Sequence, residues 1–157
     1  MKQGKLTAVV AVRKGSQRIP DKNIIPFGDS NLLEMKLNLL KKVKAIDEII
    51  VNSDCDDMLA IGEKYGCLTH KREDHYASSI VNNSDFHEHI AKVTDTDFIF
   101  LAPTCSPFVT VESHNSAIKH FLNNPGFYKL NHFESVDVDI PFDFFIAEQI
   151  YNKFYKK

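Results

Sequence analysis

The stretch Leu6–Val12, LTAVVAV, constrains this chain more than any other. It is an unbroken apolar, β-branched run, without the alternation of a strand that faces water on one side. A strand covered on both faces is the expected outcome, and such strands belong to parallel sheets flanked by helices. Glu48–Asn52 (EIIVN) reads as a second buried strand, Cys67–His70 as a short third, and Asp97–Ala102 (DFIFLA) as another buried one. Ser135–Asp139 reads as a further short strand.

Helical patterns fall between these runs. Asn31 caps a helix, with Glu34 completing a capping box ahead of Leu33, Leu37 and Leu40. Asp54–Tyr65 forms the next, stopped by Gly66 where a left-handed C-cap belongs. Ser84–Val93 and Val111–Leu122 follow, the latter running to the Asn-Asn-Pro-Gly turn at 123–126. Pro141 opens a last helix to about Tyr155, with Phe142, Phe145, Ile146, Ile150 and Phe154 expected as its core stripe. This alternation predicts one domain over residues 1–157, with a three-layer α/β/α Rossmann-like fold around a mainly parallel sheet. Sheets of this kind bind ligands beyond the carboxyl ends of their strands.

A chain of 157 residues buries roughly 70% of its unfolded surface and needs no staples. Its net charge of −2 gives no reason to expect a nucleic-acid or membrane partner. Cys55, Cys67 and Cys105 are odd in number and far apart, which favours reduced thiols and a cytoplasmic location. The apolar run after Lys2 and Lys5 is too short for a signal peptide or a membrane span. His87 and His89, two apart on a helix, face different sides, so the histidines from His70 to His89 do not suit zinc.

The segment that leaves the first strand, VRKGSQRIPDKN, gathers Arg13, Lys14, Arg18 and Lys22 around Gly15 and Ser16. Backbone donors, a glycine allowing close approach, and forked and point cations suit a polyphosphate. The same charges would also suit a plain solvated loop. Neither the Walker A pattern nor G-x-G-x-x-G is present. Near the other end, Asp137 and Asp139 stand two apart, so in an extended chain both carboxylates project to one side while Val136 and Val138 point away. Like charges so placed are best tolerated around a cation, and oxygen-only ligands favour Mg²⁺, or Mn²⁺, over zinc. A solvent-facing strand edge is the other reading of the pair.

R-x-G-S-x-R-x-P-x-K-N resembles the N-terminal signature of the CMP-sugar synthetases, in particular the acylneuraminate cytidylyltransferases. IIVNSD at 49–54, HKREDHYASS at 70–79, APTCSP at 102–107 and ESVDVD at 134–139 are similar to that family's later motifs and occur in the same order. The resemblance implies a nucleotide-sugar transferase fold and an enzyme that transfers CMP from CTP to a nine-carbon keto-sugar acid, releasing pyrophosphate. It implies that Arg13 and Lys22 hold the β- and γ-phosphates. Gly15 and Ser16 then offer backbone donors, and Asp137 and Asp139 hold Mg²⁺ against the triphosphate. Arg72 matches the arginine that reads cytosine, while Asn23 and Asn83 match nucleotide-contacting positions.

Three departures stand out. Ala102 replaces the family's glutamine and Cys105 looks inserted; Ser79 stands for an acidic residue; and the connection from about 122 to 134 is far shorter than the family's, which carries further strands, the dimer arm and much of the sugar-acid pocket. GFYKLN at 126–131 looks like a remnant of one of those strands. Three readings follow. The chain is a cytidylyltransferase whose acceptor site is minimal or completed by a partner chain or homodimer, or an inactive, regulatory nucleotide-binding paralogue, or a related transferase with another acceptor.

Overall fold

The computed structural model describes residues 4–123, 129–130 and 134–156. The elements run β1 (Leu6–Ala11), α1 (Leu32–Leu40), β2 (Glu48–Ser53), α2 (Asp56–Lys64), β3 (Leu68–Lys71), α3 (Asp74–Ala77), α4 (Asn83–Val93), β4 (Phe98–Leu101), α5 (Val111–Asn123) and α6 (Pro141–Phe154). They divide into two compact units, one of residues 1–14 and 46–102, the other of 15–45 and 103–157.

The first unit holds the sheet. Its four strands lie in the order β3-β2-β1-β4 and every pairing is parallel. β1 runs through the middle, with Thr7–Ala11 matched to Glu48–Asn52 and Leu6–Val9 to Phe98–Leu101. That position explains LTAVVA: Leu6 to Val10 are all buried, as two-sided cover requires. α2 begins two residues later than the sequence suggests, after Cys55, and Gly66 ends it at φ +67. Gly62 lets this helix lie close to β2, since a Cβ there would meet Val51 Cγ2 at 2.8 Å.

β4 departs from expectation. It was read as buried, yet Ile99 and Leu101 are each more than a third exposed. Among the described residues it is an outermost strand, so the same apolar letters that bury β1 leave β4 partly in water. α3 had no counterpart in the sequence reading; it is a single turn within the segment Arg72–Ser79.

The second unit packs Ile19, Phe27, Leu32, Phe108, Val138 and Ala147 into a core. The side chain of Asn31 caps α1 by accepting from Glu34 N–H at 2.8 Å, as its sequence predicts. Glu34 also accepts from the Ser30 hydroxyl at 2.6 Å. α6 corrects the expected stripe. Phe142 is 66% and Phe145 55% exposed, and Ile146 and Phe154 also face water; of the five, only Ile150 packs on the core. The buried face is formed by Phe144, Ala147, Ile150 and Tyr151. Phe27 selects it, meeting the Phe144 and Tyr151 rings edge-on at 5.3 and 5.7 Å.

Ser135–Asp139 is not a strand. The segment runs without a ladder partner among the described residues. It is held instead by Val138 N–H donating to Cys105 O at 2.8 Å. The connection from about 122 to 134, including the segment read as a strand remnant, lies largely outside the described residues. Among the described residues no helix is long and apolar enough to cross a membrane.

Candidate functional site

In the second unit the cationic turn meets the twin acids. Ile19 is buried and anchors the turn, Asp21 adopts φ 50, and the N–H groups of Ile24 and Ile25 both donate to Asp21 O. This wraps residues 19–25 into a tight bend and presents Lys22 inward. Lys22 Nζ donates to Val138 O at 2.7 Å and pairs with Asp139 Oδ1 at 3.5 Å. Arg18 Nη2 reaches the other oxygen, Asp139 Oδ2, at 3.2 Å. Asp139 is further placed by the start of α6, where Asp143 accepts from the N–H groups of Asp139 and Ile140, both at 3.0 Å.

Valines and acids alternate between core and solvent here, although no strand forms. Val138 is wholly buried and Val136 packs against the same core, while Asp137 is exposed and Asp139 partly so. Asp137 Oδ1 accepts from Val138 N–H at 3.1 Å. Burial, followed by the neighbouring Asp137 carboxylate, raises the pKa of the Cys105 thiol to about 11. The donor set fits a hard divalent cation. Two carboxylates offer only oxygen and retain access to solvent, which suits Mg²⁺ completing its shell with water and phosphate.

Gly15 takes φ +76 in open space, so its backbone conformation rather than crowding calls for glycine. Ser16 is half-buried beside it. Asn23 is buried, and its Oδ1 accepts from the Thr104 hydroxyl at 2.7 Å. Its carbonyl accepts from Leu33 N–H at 3.0 Å, tying the turn to the start of α1.

The sheet unit carries Arg13, Arg72 and Asn83. Arg13 Nη1 donates to Ala77 O at 2.8 Å, and Lys14 N–H donates to Asp54 Oδ1 at 2.9 Å. Asp54 thus serves the start of the cationic loop, not the N-terminus of α2. Arg72 is buried at the end of β3 and bonds to backbone carbonyls of Val12 and Asn52. Burial brings its pKa down to about 10, so it stays charged at neutral pH. Asn83 is the exposed first residue of α4, whose cap is Asn82, accepting from Asp85 N–H at 2.9 Å.

A polar group packs around these residues. Asn52 Nδ2 lies 2.9 Å from His70 Nδ1, the His70 and His89 rings are 5.6 Å apart, and Tyr76 stacks on His89 at 4.0 Å. Burial, then the neighbouring His70, lowers the His89 pKa. His89 is buried and His87 exposed, as their spacing implies.

The structure therefore brings together Lys22 and Asp139, with Asp137 beside them, and adds Arg18, which the sequence offered only as one of four loop cations. Sequence reasoning missed Lys36 altogether. It lies on α1, is 3% exposed, and donates to Ser106 O at 3.0 Å. Its place one residue before Leu37 in the apolar face of α1 was the available signal.

Comparison with known proteins bears on this geometry. The chain is 29% identical to an N-acylneuraminate cytidylyltransferase of Escherichia coli over 106 residues, 66% of this chain and 25% of that protein. It is 31% identical to a pseudaminic acid cytidylyltransferase of Campylobacter jejuni over 83 residues, 48% of this chain and 36% of that one. The chain thus spans between a quarter and about a third of the length of the curated relatives it matches. Among solved structures it superposes on a CMP:2-keto-3-deoxy-manno-octonic acid synthetase complexed with CTP. The TM-score is 0.66 at 14% identity, covering 78% of this chain and 49% of that one. A cytidylyltransferase from Leptospira borgpetersenii gives a TM-score of 0.62 at 25% identity, covering 78% and 50%. These superpositions show the nucleotidyltransferase α/β fold that the strand and helix order implies. The cytidylyltransferase family model matches residues 7–140, from the first strand to the start of the last helix, and the chain belongs to the cytidylyltransferase family.

Proposed function

We propose that this chain binds CTP with Mg²⁺ and transfers CMP to the anomeric hydroxyl of a sialic-acid-like keto-sugar acid, releasing pyrophosphate. The observation that carries the reading is the meeting of Lys22 and Arg18 with Asp139. A triphosphate needs cations, its metal needs carboxylates, and here both are held on one short stretch of surface. Without ligand the two charge types neutralise each other.

The chemistry asks little covalent work of the protein. The sugar hydroxyl gives up its proton to solvent and forms a new bond to the α-phosphorus as the bond to the pyrophosphate oxygen breaks, so alignment and charge neutralisation dominate. Lys22, with little freedom because its stem is buried and its ammonium is tied to Val138 O, presents a fixed charge to the β- and γ-phosphates. Arg18 is exposed and can swing from Asp139 to phosphate. Gly15 and Ser16 offer backbone N–H groups. Arg13 also serves the triphosphate, and Asn23 and Asn83 contact the nucleotide; these roles come from the resemblance alone. Mg²⁺ or Mn²⁺, held by Asp137 and Asp139, would neutralise charge on the phosphate oxygens. The three free thiols, Cys55, Cys67 and Cys105, suit a cytoplasmic location.

Lys22→Ala and Asp139→Asn should each lower pyrophosphate release from CTP, Mg²⁺ and a keto-sugar acid by about 100-fold or more. Asp139→Asn loses only partly exposed pairs and should cost about 1 kcal/mol of stability or less, while Lys22→Ala also leaves the carbonyl of buried Val138 without its donor and should cost about 1–3 kcal/mol. Equal losses in a circular-dichroism melt and in turnover would refute the assignment. The short connection between α5 and Glu134 favours a second reading, in which the chain binds nucleotide without turnover or needs a partner chain to complete the acceptor site. CTP binding by calorimetry with no pyrophosphate release would select it.

A further inference from the structure

In the second unit, three consecutive residues of the turn at 103–107 are tied to three different segments. The Thr104 hydroxyl donates to Asn23 Oδ1 at 2.7 Å. The Cys105 carbonyl accepts from Val138 N–H at 2.8 Å. The Ser106 carbonyl accepts from Lys36 Nζ at 3.0 Å. The first bond reaches the cationic turn, and the second reaches the segment of the twin acids. The third reaches α1, whose start is fixed by the Asn31 cap and by Leu33 N–H donating to Asn23 O at 3.0 Å.

Lys36 is the costly member of this set. It is 3% exposed, among buried Leu33, Leu37 and Leu40 of the same helix. Among the described residues its ammonium bonds to the Ser106 carbonyl and to no carboxylate. A buried ammonium facing one neutral carbonyl recovers little of what it loses on leaving water, whereas methionine would fill the same space without that penalty. A residue that weighs against stability in this way points to a role outside stability. What the lysine provides is reach, since its four-carbon stem carries a donor from the helix to the main chain of the turn.

The consequence lies one residue along. Ser106 precedes Pro107, which narrows its backbone freedom, so fixing its carbonyl also limits where Cys105 O can point. Cys105 O holds Val138, and Val138 O in turn accepts from Lys22 Nζ at 2.7 Å. Val138 is wholly buried in one core with Phe108, so its place sets those of Asp137 and Asp139 on either side. We propose that Lys36 is a positioning residue for the twin acids, fixing the main chain at Val138 through the carbonyls of Ser106 and Cys105. Its effect on ligands rests on the metal and nucleotide reading above, but its effect on Val138 does not.

Lys36→Met in the full chain, compared with the unaltered chain near neutral pH, tests this with three measurements. These are urea unfolding, amide hydrogen exchange, and calorimetry with Mn²⁺ and inorganic tripolyphosphate. Methionine keeps the stem and removes both charge and donor. The variant should unfold at higher urea, since the buried charge is gone. It should nevertheless exchange the Val138 amide about tenfold faster and bind Mn²⁺ with tripolyphosphate about tenfold more weakly. The opposite signs separate positioning from support, because a residue that only held the core together would lose stability and binding together. Unchanged exchange at Val138, or faster exchange with unchanged binding, would overturn the inference. If the unaltered chain does not bind Mn²⁺ with tripolyphosphate, the metal and nucleotide reading falls, and the Val138 exchange alone decides what Lys36 holds. Should Lys36→Met fail to fold, Lys36→Leu carries the exchange and binding measurements; failure of both to fold would make Lys36 a structural necessity and overturn the positioning role.

Discussion

Lys36 offers a direct measure of how far the second unit excludes water. Its ammonium donates to Ser106 O at 3.0 Å, and no carboxylate of the described residues pairs with it. Burial therefore lowers its pKa from 10.5 to about 8, with the nearby Cys105 opposing weakly. Below about pH 8 the side chain is charged in both folded and unfolded chains, and the folded state bears the whole cost of the buried charge. Between about 8 and 10.5 the folded chain has released a proton that the unfolded chain still holds, so stability rises with pH. The full difference corresponds to about 3 kcal/mol, of which about 2 kcal/mol falls between about pH 7 and about pH 9.5. Lys36→Met keeps the stem and removes the charge. Urea unfolding of both proteins across that range isolates the lysine, because other titrating groups cancel in the comparison, His114 and Cys105 included where their coupling to Lys36 is small. The wild-type chain should gain about 2 kcal/mol on the variant as pH rises. At neutral pH the variant should be more stable by about 2 kcal/mol, the relieved burial cost less about 1 kcal/mol for the lost bond to Ser106. A flat difference across the range would show that Lys36 is hydrated, and would refute the burial of its ammonium against Ser106 O.

Three further changes probe the same unit by urea unfolding. Gly28→Ala should cost about 3 kcal/mol, because its φ of +58 disfavours a side chain and a Cβ would lie 2.1 Å from the Tyr151 ring; a loss under about 1 kcal/mol would contradict that contact. Phe144→Ala should cost about 3 kcal/mol and Phe145→Ala about 1 kcal/mol or less, since only Phe144 packs on Phe27; the reverse order would restore the face expected from the sequence. Asn23→Ala and Thr104→Val should each cost about 1–2 kcal/mol, yet show a coupling of about 1 kcal/mol in a double-mutant cycle, because both are buried and joined at 2.7 Å; additivity would dissolve the link.

The fold was legible where composition alone decides it. β1 and β2 are apolar, β-branched and bounded by polar turns, and Asn31 and Gly66 are residues whose side chain or freedom marks a helix end. The sequence was mute where the answer depends on neighbours. DFIFLA reads like LTAVVA, but strand order leaves β4 outermost and β1 in the middle. α6 is apolar on two opposite faces, so its pattern could not say which one Phe27 would claim. Lys36 and Arg72 are charged residues whose burial is set by carbonyls remote in sequence.

The twin acids sit between these cases. Their two-residue spacing was enough to leave both acids outside the core, even though the expected strand does not form. What keeps the alternation is anchoring: Val138 is wholly buried, its N–H is bound to Cys105 O, and its carbonyl receives Lys22. A ladder would constrain every second residue; here one buried valine constrains the residue on either side of it. That is why Lys22, whose Nζ grips the carbonyl of Val138, is bound to lie within reach of Asp139. The pairing of cation and acid is thus a consequence of where one apolar side chain is buried, and it needs no attraction between the charges to form.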